Sequence, residues 1–348
     1  MNIKLGFILI FAFGTIILSS FSNRVSSSQL LIYPETWPNP NYDFTSNPLS
    51  PDGIDLGRML FYDPILSADS TISCSSCHFS YTAFTHVDHA TSHGIGDKVG
   101  RRNAPALMNL AWRTSFNWDG AVHHLDFQAL APIADSIEMG SSLKEVINSL
   151  VKTTHYPILF LEVFGASEIT GELLLKSLAQ FQLSLVSANS KYDRVKAGLE
   201  DFSEQEALGH NLFNEFCASC HQAPFFGGND FADNAIGSNG LSQDFGLMEV
   251  SLSAMDSLKF RIPSLRNIKY SYPYMHDGRF EKLNQVIDHY LSLTANSYLD
   301  QRLPQGVTFR QEDRISLLSF LMTLNDLEFI FNKNHAYPRD LYEKYIKT

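Results

Sequence analysis

The sequence predicts a mainly α-helical protein built as two small domains. Three observations carry this. Apolar residues recur at helical spacing in segments opened by N-capping signals. No stretch alternates apolar and polar residues as a half-buried strand does. One short pattern occurs twice, as Leu56-Gly57-Arg58-Met59-Leu60-Phe61 and as Leu208-Gly209-His210-Asn211-Leu212-Phe213. Each copy runs on to a Cys-x-x-Cys-His sequence, with a longer spacer in the first, and such an echo indicates two related units.

The elements follow in chain order. Residues 1–22 join Lys4 to an apolar run from Leu5 to Leu18, followed by Ser19, Ser20 and Ser22. This is an export-signal pattern, assigned to 1–28. With no clean Ala-x-Ala site, an uncleaved N-terminal membrane anchor is the alternative, and both place the rest of the chain outside the cytoplasm. Residues 30–52, rich in Pro, Asn and Ser, read as an extended arm. Ser142 and Glu145 form a capping box ahead of Val146, Ile147 and Leu150, which share a helix face. A longer amphipathic helix covers 171–187. Ser203 and Glu206 form a second capping box, opening the helix that delivers Cys217. Residues 222–256 are rich in Gly, Asn and Ser and read as loop. Helices follow from Glu281 to about Leu291 and over about 311–324. The link between domains falls near 188–202, giving an N-terminal domain over 29–195 and a C-terminal one over 196–348.

Composition narrows the class. Of 348 residues, 44% are apolar and only 18% charged, which excludes a disordered or collagen-like chain. Lys and Arg number 26 against 37 Asp and Glu, a net charge of −11 with no long basic run, so nucleic acid is not an expected partner. Four cysteines exclude a disulfide-dense scaffold and a large iron–sulfur protein.

All four cysteines lie in two tight pairs, Cys74-Ser-Ser-Cys77-His78 and Cys217-Ala-Ser-Cys220-His221. Two thiols three residues apart can bond to the two vinyl groups of one haem, and the adjacent histidine then reaches the iron. A redox dithiol or a single four-cysteine zinc site would use the thiols but leave both histidines unexplained. Two covalent haem c groups are therefore expected, and the fold becomes two cytochrome c-like haem domains. Export agrees, because haem c is attached outside the cytoplasm.

The chain resembles the bacterial di-haem cytochrome c peroxidases, in the superfamily that also contains MauG. The likeness runs from about Pro34 to about Leu324. It rests on the 56–78 segment, Arg102-Asn-Ala-Pro105, Asn117-Trp-Asp-Gly120, and the series Gln128, Pro132, Glu138 and Met139. It continues through the second haem motif, Pro263-Ser-Leu-Arg-Asn267, 273–280 and 286–290. By resemblance, His78 is the proximal ligand of the peroxide-reacting iron, and His221 belongs to the haem that takes in electrons. Gln128 and Glu138 would flank the open side of the first iron. A carboxylate there can move a proton from one peroxide oxygen to the other, and an amide can hold the bound oxygen. Trp118 resembles the tryptophan between the two haems, whereas Trp37 and Trp112 read as packing residues. Asn103, with the backbone carbonyls of Ser271 and Pro273, resembles a calcium site between the domains; such oxygens suit Ca²⁺. Where the family often has arginine after Trp-Asp-Gly, this chain has Ala121.

Two positions set the subtype. Many members cap the N-terminal iron at rest with a histidine between two glycines. Here that slot holds Ile95, between Gly94 and Gly96, while His93 lies two residues early and His86 and His89 further off. An iron open at rest is expected, with His93 on a shifted loop as the alternative. The sixth ligand of the C-terminal haem would come from fourteen residues beyond His276, which is Tyr290; Met275 is the rival on general grounds. Leu283, Val286, Ile287 and Tyr290 share one helix face, so Tyr290 points inward. Both positions are MauG-like.

The expected activity is reduction of hydrogen peroxide to water in the periplasm, with electrons from a small donor such as a c-type cytochrome or cupredoxin. A MauG-like enzyme that oxidises side chains of a protein substrate is the alternative, and a non-catalytic di-haem electron-transfer cytochrome is a third reading. A homodimer is one assembly open to the chain, whose sequence does not name its oligomeric state.

Overall fold

The computed structural model describes residues 30–237, 244–293, 300–303 and 306–346. The export signal and the alternative N-terminal anchor, over 1–28, lie outside them. Among the described residues, no helix is long and apolar enough to cross a membrane.

The fold is mainly α, and its architecture is explained by the sequence echo. Helix α1 (Pro51–Tyr62) starts at Ser50, whose hydroxyl accepts from the Gly53 amide, and it carries the first copy of the echo. It packs on a later helix, Gly171–Ser184, capped by Thr170. In the second half, Glu204–Phe216 carries the second copy and packs on Gln311–Met322. Numbered in chain order with Leu125–Gln128 (α2), Leu130–Ala134 (α3), Leu143–Val151 (α4), Tyr156–Phe164 (α5) and Lys191–Lys196 (α7), these are α1 on α6 and α8 on α11.

The glycine of each copy allows its pair to close. A Cβ on Gly57 would lie 2.0 Å from the Ser177 carbonyl oxygen, and one on Gly209 would lie 1.9 Å from that of Ser316. The partner helices repeat as well: Ser177 and Phe181 answer Ser316 and Phe320, with each serine hydroxyl donating to the carbonyl four residues back. Each pair is closed by two buried rings, Phe61 on Phe181 with centroids 5.2 Å apart and Phe213 on Phe320 at 4.9 Å.

One core gathers residues from Leu31 to Leu185 and also Phe329 and Ile330; the second gathers residues from Tyr192 to Leu324. The chain thus leaves the first core after Leu185 and returns to it near its end. There, Arg58 donates to the carbonyls of Lys333 and Ala336, and Tyr62 to that of His335.

The capped helices occur where expected, as α4, α6, α8, Leu283–Leu291 (α10) and α11, with ends shifted by up to three residues. The stretch 188–202 holds α7, capped by Ser190, with Tyr192 and Asp193 buried. Residues 222–256 are mostly loop but contain β1 (Phe231–Ala232), paired antiparallel with β2 (Phe260–Arg261), and the short helix α9 (Met248–Ser251). Strands of two residues are too short to show alternation. Helix α5 was not marked by periodicity because Tyr-Pro-Ile-Leu-Phe-Leu-Glu-Val-Phe is apolar on nearly every face. Two short helices after α11, α12 (Leu327–Ile330) and α13 (Arg339–Ile346), form the returning tail.

Candidate active site

Both Cys-x-x-Cys-His runs make the same tight turn. The amides of Cys77 and His78 donate to the Cys74 carbonyl at 3.2 and 3.0 Å, and those of Cys220 and His221 to the Cys217 carbonyl at 3.2 and 2.9 Å. Residues i, i+3 and i+4 then share one side. All four thiols are free. His78 Nδ1 lies 2.6 Å from the Phe84 carbonyl, and His221 Nδ1 lies 3.0 Å from the Phe226 carbonyl. A carbonyl can only accept, so each Nδ1 carries the proton and Nε2 keeps the lone pair that a metal would take. Burial pulls both imidazoles down, His78 to about 4, so both are neutral near pH 7.

Each turn borders its own cavity. The larger, about 230 Å³, is lined by Cys217, Cys220 and His221 together with Trp118, Met275 and Tyr290. The smaller, about 60 Å³, is lined by Cys74, Cys77 and His78 together with Gln128, Glu138 and Leu178. A thiol pair, a neutral imidazole and a largely apolar wall converge in each. This donor set fits a haem attached through two thioethers. The segment 103–107 runs between the two hollows: Asn103 and Ala104 border the larger and Leu107 the smaller.

At the smaller cavity, Glu138 lies on the exposed rim, yet the surrounding protein pushes its carboxyl above the ordinary range, and Asp135 adds to the rise. Gln128 Nε2 donates to Asn117 Oδ1 at 3.4 Å. His93 does not line this cavity; its Nδ1 lies 2.6 Å from Asp97 Oδ1, and its ring packs on His89. Ile95 does not line it either. Its amide donates to the Glu138 carbonyl at 2.9 Å, and its side chain packs on Gly140, while Gly94 faces the hollow.

At the larger cavity, burial pushes the Tyr290 phenol up to about 12, opposed by a hydrogen bond with Asn234. Met275 borders the same hollow, whereas His289 is turned away, with Nε2 2.7 Å from the Asn234 carbonyl. Trp118 is buried and donates from Nε1 to the Asn103 carbonyl at 2.8 Å, so it stands against the dividing segment. Asn103, Ser271 and Pro273 all border the larger cavity, and Asn103 Nδ2 donates to the Ala90 carbonyl. Ala121 donates its amide to Asp119 Oδ1, and Asp119 pairs with Arg102. Among the lining residues that escaped the sequence reading are two arginines, Arg113 and Arg261. Their signal was faint: arginines placed directly after the apolar Leu110-Ala-Trp run and inside Lys-Phe-Arg-Ile.

Known proteins resemble this chain over most of its length. The family described as di-haem cytochrome c peroxidase matches residues 51–201. The methylamine utilization protein MauG of Methylorubrum extorquens is 35% identical over 84% of this chain and 82% of its own length. The cytochrome c551 peroxidase of Nitrosomonas europaea is 32% identical over 80% and 81%. The crystal structure of a MauG-like protein associated with microbial copper homeostasis superposes with a TM-score of 0.81 at 29% identity, covering 88% of this chain and 98% of that one. The chain therefore belongs to the di-haem cytochrome c peroxidase and MauG family, oxidoreductases of peroxidase type whose two haem c groups fit its two cysteine–histidine cavities.

Proposed function

We propose that the protein reduces hydrogen peroxide to water at the smaller cavity, outside the cytoplasm, with electrons that a small donor protein delivers at the larger one. The observation that carries this reading is the company of His78: Glu138 and Gln128 border the same hollow, while His93 is engaged by Asp97. The haem, when bound, supplies the electrons that break the O–O bond. The chain supplies the proton handling. Glu138 as carboxylate takes a proton from one peroxide oxygen and returns it to the other, which leaves as water. Gln128 holds the oxygen that stays. Two electrons and two further protons complete the conversion of one peroxide to two waters. Trp118 lies on the route between the cavities, and Tyr290 would help hold the iron at the larger one. Asn103 Oδ1 with the carbonyls of Ser271 and Pro273 would hold a calcium ion that steadies the dividing segment. The donor is a c-type cytochrome or a cupredoxin.

Tyr290 favours a second reading, in which a protein side chain is the reductant, as the similarity to MauG suggests. A phenolate ligand stabilises ferric iron and discourages electron uptake from a high-potential carrier. Steady-state assays separate the two. Oxidation of two donor molecules per peroxide consumed supports the peroxidase. Peroxide consumption that leaves every such donor reduced, but oxidises residues of a partner protein, contradicts it in favour of maturation.

A further inference from the structure

Two arginines reach the larger cavity without a counterion among the described residues. Arg113 follows the turn Leu110–Trp112; its guanidinium has no hydrogen bond or carboxylate among the described residues, and its Nη1 is buried. Burial alone pulls its pKa down to about 10. Arg261, on β2, is 6% exposed. Its Nε donates to the Asn117 carbonyl at 2.9 Å, but its Nη1 is buried and has no partner among the described residues. The third arginine of the same wall, Arg302, is matched by Asp300 and Asp230 and shows what satisfaction looks like here.

Burying an unmatched guanidinium is strongly unfavourable, so two on one cavity call for an anionic ligand with two separate charged ends. The guanidinium fork suits carboxylates in particular. Haem c held by thioethers at Cys217 and Cys220 has two charged ends, its propionates. We propose that Arg113 and Arg261 receive the two propionates of the C-terminal haem, and that their charge helps this haem accept an electron. The proposal rests on the larger cavity being a haem site. It also gives the chain a counterweight to Tyr290: two fixed positive charges oppose the phenolate's preference for ferric iron.

The test uses the full-length, haem-loaded protein with Arg113→Leu, Arg261→Leu and the corresponding lysine variants. A pyridine haemochrome count on the parent protein checks the haem reading separately from the arginine assignment. Resonance Raman spectra then report the propionate bending bands, and spectroelectrochemistry reports the reduction equilibrium of the C-terminal haem. Each leucine variant should displace a propionate band and move that equilibrium toward the oxidised form by roughly tenfold, the size expected for loss of one nearby charge at an effective dielectric near 20. Each lysine variant should displace the band while keeping the equilibrium near the parent's, because charge remains and the fork is lost. Unmoved bands and equilibria in all four variants would overturn the assignment. If a leucine variant is made without its haem, the lysine variant decides: a displaced band supports the pairing and an unmoved one refutes it.

Discussion

A carboxyl that takes and returns a proton works best when its pKa lies nearer the working pH than that of a free glutamate. Glu138 meets this condition through crowding and the neighbouring Asp135. Glu138→Gln should leave both haems attached but slow the peroxide reaction by about 10²–10⁴-fold in stopped-flow measurements. In the proposed role Glu138 must be ionised to accept the first proton, so the rate should rise with pH through a limb above the ordinary carboxyl value of 4.5. Asp135→Asn removes a negative neighbour and should move that limb to lower pH; a limb that stays in place would take Glu138 out of the proton path. At this scale the two Cys-x-x-Cys-His runs that border the cavities were legible, because covalent haem attachment demands a fixed local spacing. Arg113 and Arg261 were not, because what marks them is a missing partner in space, and a sequence does not display who is missing. Ile95 shows the same boundary. Its inability to bind iron could be read from its type, but its packing on Gly140 could not.

Among the elements, the paired glycines are the most demanding positions. Helices α8 and α11 cross where Gly209 meets the Ser316 carbonyl, and that carbonyl is backbone that cannot swing aside. Gly209→Ala should cost about 1–3 kcal/mol in urea unfolding, the range for forcing extra volume into a packed contact. Gly57→Ala should cost a similar amount at α1 and α6; neutral behaviour at both sites would remove the close approach as the basis of the repeat. The echo Leu-Gly-x-x-Leu-Phe was visible in the sequence, but its partner Ser-x-x-x-Phe was recognisable only once Ser177 and Phe181 were seen to face it as Ser316 and Phe320 do. Capped helices could be read because Ser142 and Ser203 carry local signals. The apolar α5, though bounded by Pro157 and Gly165, shows no periodic face, and the tail helix α13 buries none of its residues.

Across the whole molecule, arginines join the halves. Arg266, fully buried, forks onto Asp193 at 2.8 and 2.7 Å and lies over the Trp37 ring at 4.8 Å. Arg102 bridges Asp119 to Asp244. Asp193→Asn leaves a buried guanidinium with half its match and should destabilise the protein by about 3–5 kcal/mol. Both Asp193 and Asp244 are held below the ordinary 3.8, Asp244 at about 2. The stability they lend is complete above 3.8 and is lost as pH falls through these lowered values, so equilibrium unfolding should show a steep acid limb that weakens in Asp193→Asn. The two halves so joined hold unlike sites, one bordered by Tyr290 and one whose nearby histidine is tied down by Asp97. That asymmetry is the centre of the functional account: the peroxide site should stand open in the fully oxidised protein, with no reductive activation. Electron paramagnetic resonance of the resting ferric protein tests it most directly. A high-spin signal from the N-terminal haem beside a low-spin signal from the C-terminal one is the predicted spectrum; two low-spin signals would mean that His93 or another residue caps the first iron, and would contradict the account.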